Sequence, residues 1–278
     1  MRCVVLVRPA WIFACQVSLL AGHVSAIAAT EPPVGQVDLT VEDPRPVAKA
    51  AERLATLYGY LITYEDPRYQ HADDLRDVTN EVRNDLGRVS MEKQPRTIVP
   101  AGGRLELRII DPDLGRTDHS ATVSIRALLD AQAARPNGGQ FRLEQTGHMF
   151  HILPARVRDQ AGDWASLSSV LDVPISLLPA DRSGMAQLQA IVEAIQKANG
   201  FPIKVGTVPL NVFRPRIHLG AENERARDVL IRALDATGAR MTWQLYYAPD
   251  LKFYVLNIKE VPEPMHRVQQ RASIRYRW

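Results

Sequence analysis

Cysteine is confined to positions 3 and 15 of the 278-residue chain. If the first 28 residues leave on export, the remainder has no thiol. It then has no disulfide and no cysteine metal ligand, and only packing holds its cores. A bilayer-spanning run is lacking too. Ala10 to Gly22 is mostly apolar but is broken by Gln16 and Ser18 and covers thirteen residues, against the ~20 that a spanning helix needs. Charge of one sign is also scarce. The formal balance is +3, of which Arg2 and Arg8 supply two, leaving the rest near +1. That excludes the basic footprint of a nucleic-acid-binding domain.

The spacings that carry chemistry are missing as well. No HExxH, phosphate loop, dinucleotide fingerprint or Gly-x-Ser-x-Gly elbow occurs. His148 and His151 lie in or beside a strand-like run, with His119 and His218 further away. An offset of three puts strand residues on opposite faces, so these histidines read as structural or surface residues and not as a metal pair. Asp111, Asp113 and Asp118 cluster around Pro112 and Gly115 without the closing glutamate of a calcium loop. Ser183-Gly184, just before a helical stripe, reads as a cap. The expectation is no catalytic, cofactor-binding or metal residues, no cofactor, and no enzymatic activity.

What is present begins with a leader. Arg2 and Arg8 precede the apolar run, and Ala26-Ile27-Ala28 supplies a small-x-small cleavage triplet. Residues 1–28 therefore read as a secretory signal peptide, and the product as exported and periplasmic. An uncleaved anchor and lipidation at Cys15 are the alternatives; the bulky Phe13 and the charged Arg8 disfavour the latter. At the other end His266, Arg267, Arg271, Arg275 and Arg277 form a basic tail over 263–278 with no acid after Glu263. It reads as a solvated terminus that could touch a membrane or another acidic surface.

Between these ends an apolar helical stripe closes at a glycine four times, at Gly59, Gly138, Gly200 and Gly238. Val37, Leu39 and Val41 alternate as a strand. A stripe of Val47, Ala50, Leu54 and Leu57 leads to Gly59, and Leu61–Tyr64 reads as a second strand. Leu105, Leu107 and Ile109 alternate again, followed by a stripe of Ala121, Ile125, Leu128 and Leu129 and by two strands around 141–144 and 149–153. The same order returns. It runs through strand residues 173–177, the Leu188–Ile195 stripe, strands near Val205 and Ile217, the Ala226–Leu234 stripe and a hairpin from Met241 to Ile258. The spacing of Leu75, Val78, Val82 and Leu86 predicts a surface helix over 71–87, inside a polar insertion at 68–103. The expected fold is α+β: two tandem βαββαββ-type modules, each a small mixed sheet with two helices. The first spans 36–158, the second 170–262, and 159–169 links them.

In its second half above all, this order resembles the short N-terminal domain shared by secretins and TonB-dependent receptors. The resemblance rests on the strand pair around Val205 and Ile217, the run Ala226-Arg227-Asp228-Val229-Leu230 through Leu234, Gly238, and the closing hairpin. The chain departs from the family pattern in carrying two copies and an insertion, and no secretin pore segment or outer-membrane barrel is read within it. The resemblance implies a non-enzymatic protein–protein interaction module whose partners are other envelope proteins. Trp243, Tyr246, Tyr247, Phe253 and Tyr254 are the candidate interaction surface, with one face of their hairpin in the core and its edge open to a partner strand. A carbohydrate- or peptidoglycan-binding protein is the alternative, and a hydrolase of unrecognised type is a third.

Overall fold

The computed structural model describes residues 36–85, 96–110, 118–135 and 137–263. The signal region, most of the basic tail, and Asp111 and Asp113 lie outside these residues. The fold is α+β.

Strand β1 (Gln36–Asp43) buries Leu39 and Val41 and exposes Thr40 and Glu42. It pairs antiparallel with β5 (Gly103–Ile110) along its whole length, with Leu39 opposite Leu107. Helix α1 (Pro46–Tyr58) opens on a proline, whose fixed φ and missing N–H suit a first helical turn. It closes where Gly59, at φ 71°, donates its N–H to the Ala55 carbonyl. Strand β2 (Leu61–Glu65) follows. After β5 come α3 (Asp118–Ala133), β6 (Gln140–Thr146) and β7 (Met149–Arg158). The second half runs β9 (Pro174–Ser183), α4 (Gly184–Asn199), β10 (Ile203–Val205), β11 (Arg216–Arg225), α5 (Ala226–Asp235), β12 (Met241–Ala248) and β13 (Phe253–Glu260).

The two halves share their pairings as well as their order. Strands β1 and β5 form one antiparallel ribbon, β9 and β11 another. Strand β2 lies parallel to β7, which is antiparallel to β6. In the same way β10 lies parallel to β13, which is antiparallel to β12. The two three-stranded sets then join, because β12 pairs in parallel with β2. The result is one continuous path, β10-β13-β12-β2-β7-β6.

Register decides where the cores sit. Leu245 stands opposite Glu65, and Gln244 opposite Tyr64. The side chains of β12 that face α4 and α5 therefore point away from those of β2 that face α1 and α3. One core packs Trp243, Leu245, Tyr254 and Leu256 against α4 and α5. The other packs Ile62, Tyr64, Phe150 and Ile152 against α1 and α3, on the opposite face.

Two segments differ from the sequence reading. The insertion does not begin as one helix: Ala72–Asp74 is a 3₁₀ turn, Leu75–Asp77 is strand β3, and α2 (Thr79–Asp85) starts only afterwards. Strand β4 (Ile98–Pro100) pairs with β3, and this tertiary partner outweighs the helical spacing of Leu75 and Val78. Asp77 Oδ1 then accepts from Thr79 N at 3.0 Å, which starts the helix where it does. The 159–169 segment folds back on the sheet. Strand β8 (Trp164–Ser166) pairs with β7, and Ser169 is buried.

Candidate interaction site: the repeat junction and the sheet edges

The hairpin of β12 and β13 supplies all five aromatic residues expected at the surface, and the structure buries two of them and half-buries the other three. Trp243 is 0% exposed and stacks on His151 with ring centroids 5.7 Å apart. Tyr254 is also buried, 5.0 Å from the half-buried Tyr247 ring. Tyr246 is half-buried and donates its hydroxyl to Gln244 Oε1 at 2.6 Å. Half-buried Phe253 lies beneath Lys204 Nζ at 4.2 Å. The hairpin edge is not open, since β2 occupies the outer side of β12 and β10 the outer side of β13. Alternation along a strand reveals its faces, not its neighbours, so the expectation of a free edge here fails.

The junction between β12 and β2 is held by two polar clusters. In the first, Asp66 N donates to the Leu245 carbonyl at 2.8 Å, continuing the ladder. The buried Asp66 carboxylate accepts from Arg45 Nε at 2.6 Å, from Tyr247 N at 2.9 Å and from the Tyr64 hydroxyl at 2.7 Å. Burial raises the Asp66 pKa, with Arg45 opposing. Burial works against the Arg45 charge, but Asp66 more than compensates and holds that guanidinium above its ordinary value.

The second cluster centres on Arg227 of α5, whose side chain is wholly buried. Its guanidinium reaches Glu65 of β2 at 3.2 Å, Glu144 of β6 at 3.0 Å and Ser169 Oγ at 2.8 Å. Asp172 Oδ1 lies 2.9 Å away in ion-pair contact, off the hydrogen-bonding direction. Ser169 Oγ donates in turn to Glu65. Burial raises the Glu65 pKa, countered by Arg227. A buried cation with several acceptors is tolerated, whereas one stripped of them is costly.

Beside this cluster Thr63 Oγ1 sits 2.8 Å from His151 Nδ1, a distance typical of a nucleophile and its base. Both residues are 0% exposed. Burial, then the Arg227 and Arg225 charges, lowers the His151 pKa to about 3, so the ring is neutral at ordinary pH. His151 Nε2 and Trp243 Nε1 have no hydrogen-bond partner among the described residues. The pair is interior packing that substrate cannot reach. His148 occupies the turn between β6 and β7, away from His151, and exposed His218 contacts Asp181 at 3.0 Å. Among the described residues no group of three or more His, Cys, Asp or Glu is placed to hold a metal ion.

The local sequence carried one signal for the Arg227 cluster. Arg227 falls three residues before Leu230 and seven before Leu234, on the apolar stripe of α5. Its acceptors come from positions up to 162 residues away, which no local pattern connects.

The open parts of the molecule lie elsewhere. Strands β10 and β6 end the sheet path, each with one side unpaired among the described residues. Leu178 is 83% exposed and Leu210 76% exposed, with Phe213 and Leu251 also out in solvent. In the insertion, Arg68 stacks on Phe201 at 4.2 Å, just ahead of β10. Among the described residues no helix is long and apolar enough to cross a membrane. Comparison with family models, with curated proteins and with solved structures gave no match.

Proposed function

We propose that this protein is a non-enzymatic protein–protein interaction module of the cell envelope, exported to the periplasm and similar to the short N-terminal domain of secretins and TonB-dependent receptors. The observation that carries this reading is the pair of edges, β10 and β6, that are unpaired among the described residues at the ends of one continuous sheet. Such edges accept strands from other chains through backbone hydrogen bonds. The groups with the most chemical potential point the same way. Arg227, Glu65, His151 and Thr63 are buried and engaged with one another or with the sheet, which serves rigidity and not turnover. Exposed Leu210 and Phe213 follow β10 in the chain and offer apolar area to a partner.

Two measurements test the proposal. Residues 1–35 fused to a reporter active only after export should give activity, and no activity would remove the periplasmic assignment. The purified chain, presented with the envelope proteins encoded beside it, should retain one of them and lose it on Phe213→Asp or Val205→Pro. Co-sedimentation with purified peptidoglycan in place of protein capture would replace this reading with a glycan-binding one.

A further inference from the structure

The way the two halves join is an operation that can be repeated. Within each half the hairpin strand β6 or β12 runs antiparallel to β2 or β10, yet across the junction β12 runs parallel to β2. The second half is therefore turned end over end relative to the first. Leu245 falls opposite Glu65 and not opposite Tyr64, so it is also turned face over face. Both reversals are a single half-turn about the axis running across the strands, combined with a shift along that axis. Such a relation is heterologous and does not close. It consumes the outer edge of β12 and of β2, and leaves their structural counterparts, β6 and β10, unpaired among the described residues.

We propose that a second copy of this chain occupies these edges, β10 of one copy adding in parallel to β6 of the next and continuing the sheet head to tail. This inference rests on the reading of the protein as an interaction module and names its partner.

The edges present the right atoms. Tyr254 N donates to the Pro202 carbonyl and Gly206 N to the Leu256 carbonyl, so Ile203 and Val205 turn their own N–H and C=O groups outward. In β6 the two-residue Gly147-His148 turn makes Thr146 and Met149 the hydrogen-bonded pair, which turns the backbone of Phe141, Leu143 and Gln145 outward. Leu143 opposes Ile152 as Leu245 opposes Leu256, and the Leu245 carbonyl is the one that accepts from β2 at the existing junction. Val205 opposes Leu256 as Tyr64 opposes Ile152. Carrying the junction register across sets Val205 beside Arg142, and Gly206 beside Leu143.

The contact between copies is weaker than the internal one. Thr207 stands where Asp66 stands in the first half, but its N–H donates to Asn257 Oδ1 at 2.9 Å and its carbonyl accepts from Ile258 N at 2.8 Å. The bond that Asp66 N makes to Leu245 therefore has no equivalent between copies. Ser183, ahead of α4, stands where Arg45 precedes α1. The ion-paired clasp is thus missing and assembly is reversible. Exposed Lys204 on the same short strand also limits indiscriminate edge pairing.

Sedimentation velocity on the purified full chain over a wide concentration range tests this. The weight-average coefficient should rise continuously and pass the dimer value. Val205→Pro, which removes an outward N–H of β10, and Leu143→Pro, which removes one of β6, should each remain monomeric. An equimolar mixture of the two variants should stop at the dimer, because only one pair of intact edges remains. A monomer at every concentration, a wild-type plateau at the dimer, or a variant that assembles like wild type would overturn the proposal. Amide exchange on the unmodified chain needs no variant to fold. Exchange at Ile203, Val205 and Leu143 should slow as concentration rises, and concentration-independent exchange would refute the pairing. A chain that stays monomeric yet captures an envelope protein refutes self-assembly while leaving the proposed function standing.

Discussion

Arg227 is the residue on which both halves converge, and its energetics follow from burial. Replacing it by alanine leaves the buried Glu65 carboxyl without its cationic partner. The expected loss is about 3–5 kcal/mol in denaturant unfolding. The double variant Glu65→Gln with Arg227→Met removes both charges and should recover a large part of that loss; no recovery would mean that the ion pair is not what holds the site. His151 gives a pH signature whose sign can be worked out. Its folded pKa lies near 3, below the ordinary value of 6.5. Between those limits the unfolded chain binds the extra proton, so acidification through this window favours unfolding, by up to about 1.4 kcal/mol per pH unit. Glu65 and Asp66, with raised folded pKa values, act in the opposite direction, holding protons more tightly when folded. His151→Gln isolates the histidine contribution. The stability gap between wild type and variant should change steadily in the variant's favour from pH 6.5 down to pH 3, and a pH-independent gap would show that the ring is not held neutral.

At the scale of elements, two glycines beside α4 do different work. Gly200 ends the helix at φ 75° with nothing near an added Cβ, so Gly200→Ala meets only the left-handed backbone and should cost about 1 kcal/mol. Gly184 opens the same helix, and a Cβ there would stand 2.0 Å from the Val212 carbonyl oxygen. That contact is with backbone and cannot relax by side-chain rotation. Gly184→Ala should therefore lower the thermal midpoint clearly more than Gly200→Ala; the reverse order would mean that the 210–212 turn yields readily. Helix α2 illustrates the limit of local spacing. The apolar positions at 75, 78 and 82 fit a helix, yet β4 claims Leu75 as a strand residue, and the helix waits for the Asp77 cap.

For the molecule as a whole, the shared sheet couples two cores that helical and strand periodicity assigned to separate units. Leu54 is fully buried under α1, and Leu230 under α5 on the other face. Leu→Ala at either position should cost about 2–5 kcal/mol. Because β2, β12 and Arg227 tie the two faces together, both variants should shift a single unfolding transition. Two separated transitions in either variant would show that the halves unfold on their own.

Alternation at 37–41 and 241–247, the stripes of α1, α4 and α5, and the glycine caps Gly59 and Gly200 are consequences of backbone geometry and side-chain polarity within a few residues. They were legible in the sequence, as was the repeated order of elements that makes the fold α+β. By contrast, α3 ends at Ala133 and α5 at Asp235, short of the expected stops at Gly138 and Gly238. The sheet partner of β12, which of the hairpin aromatics its neighbours cover, and the enclosure of Arg227 by Glu65, Glu144 and Ser169 were not legible. Each depends on which strand edges meet and in which register, and a shift of one residue at β12 would have put both helix pairs on the same face. Local pattern assigns a residue to a face. Only long-range pairing decides what covers that face, and so which edges are left for another molecule.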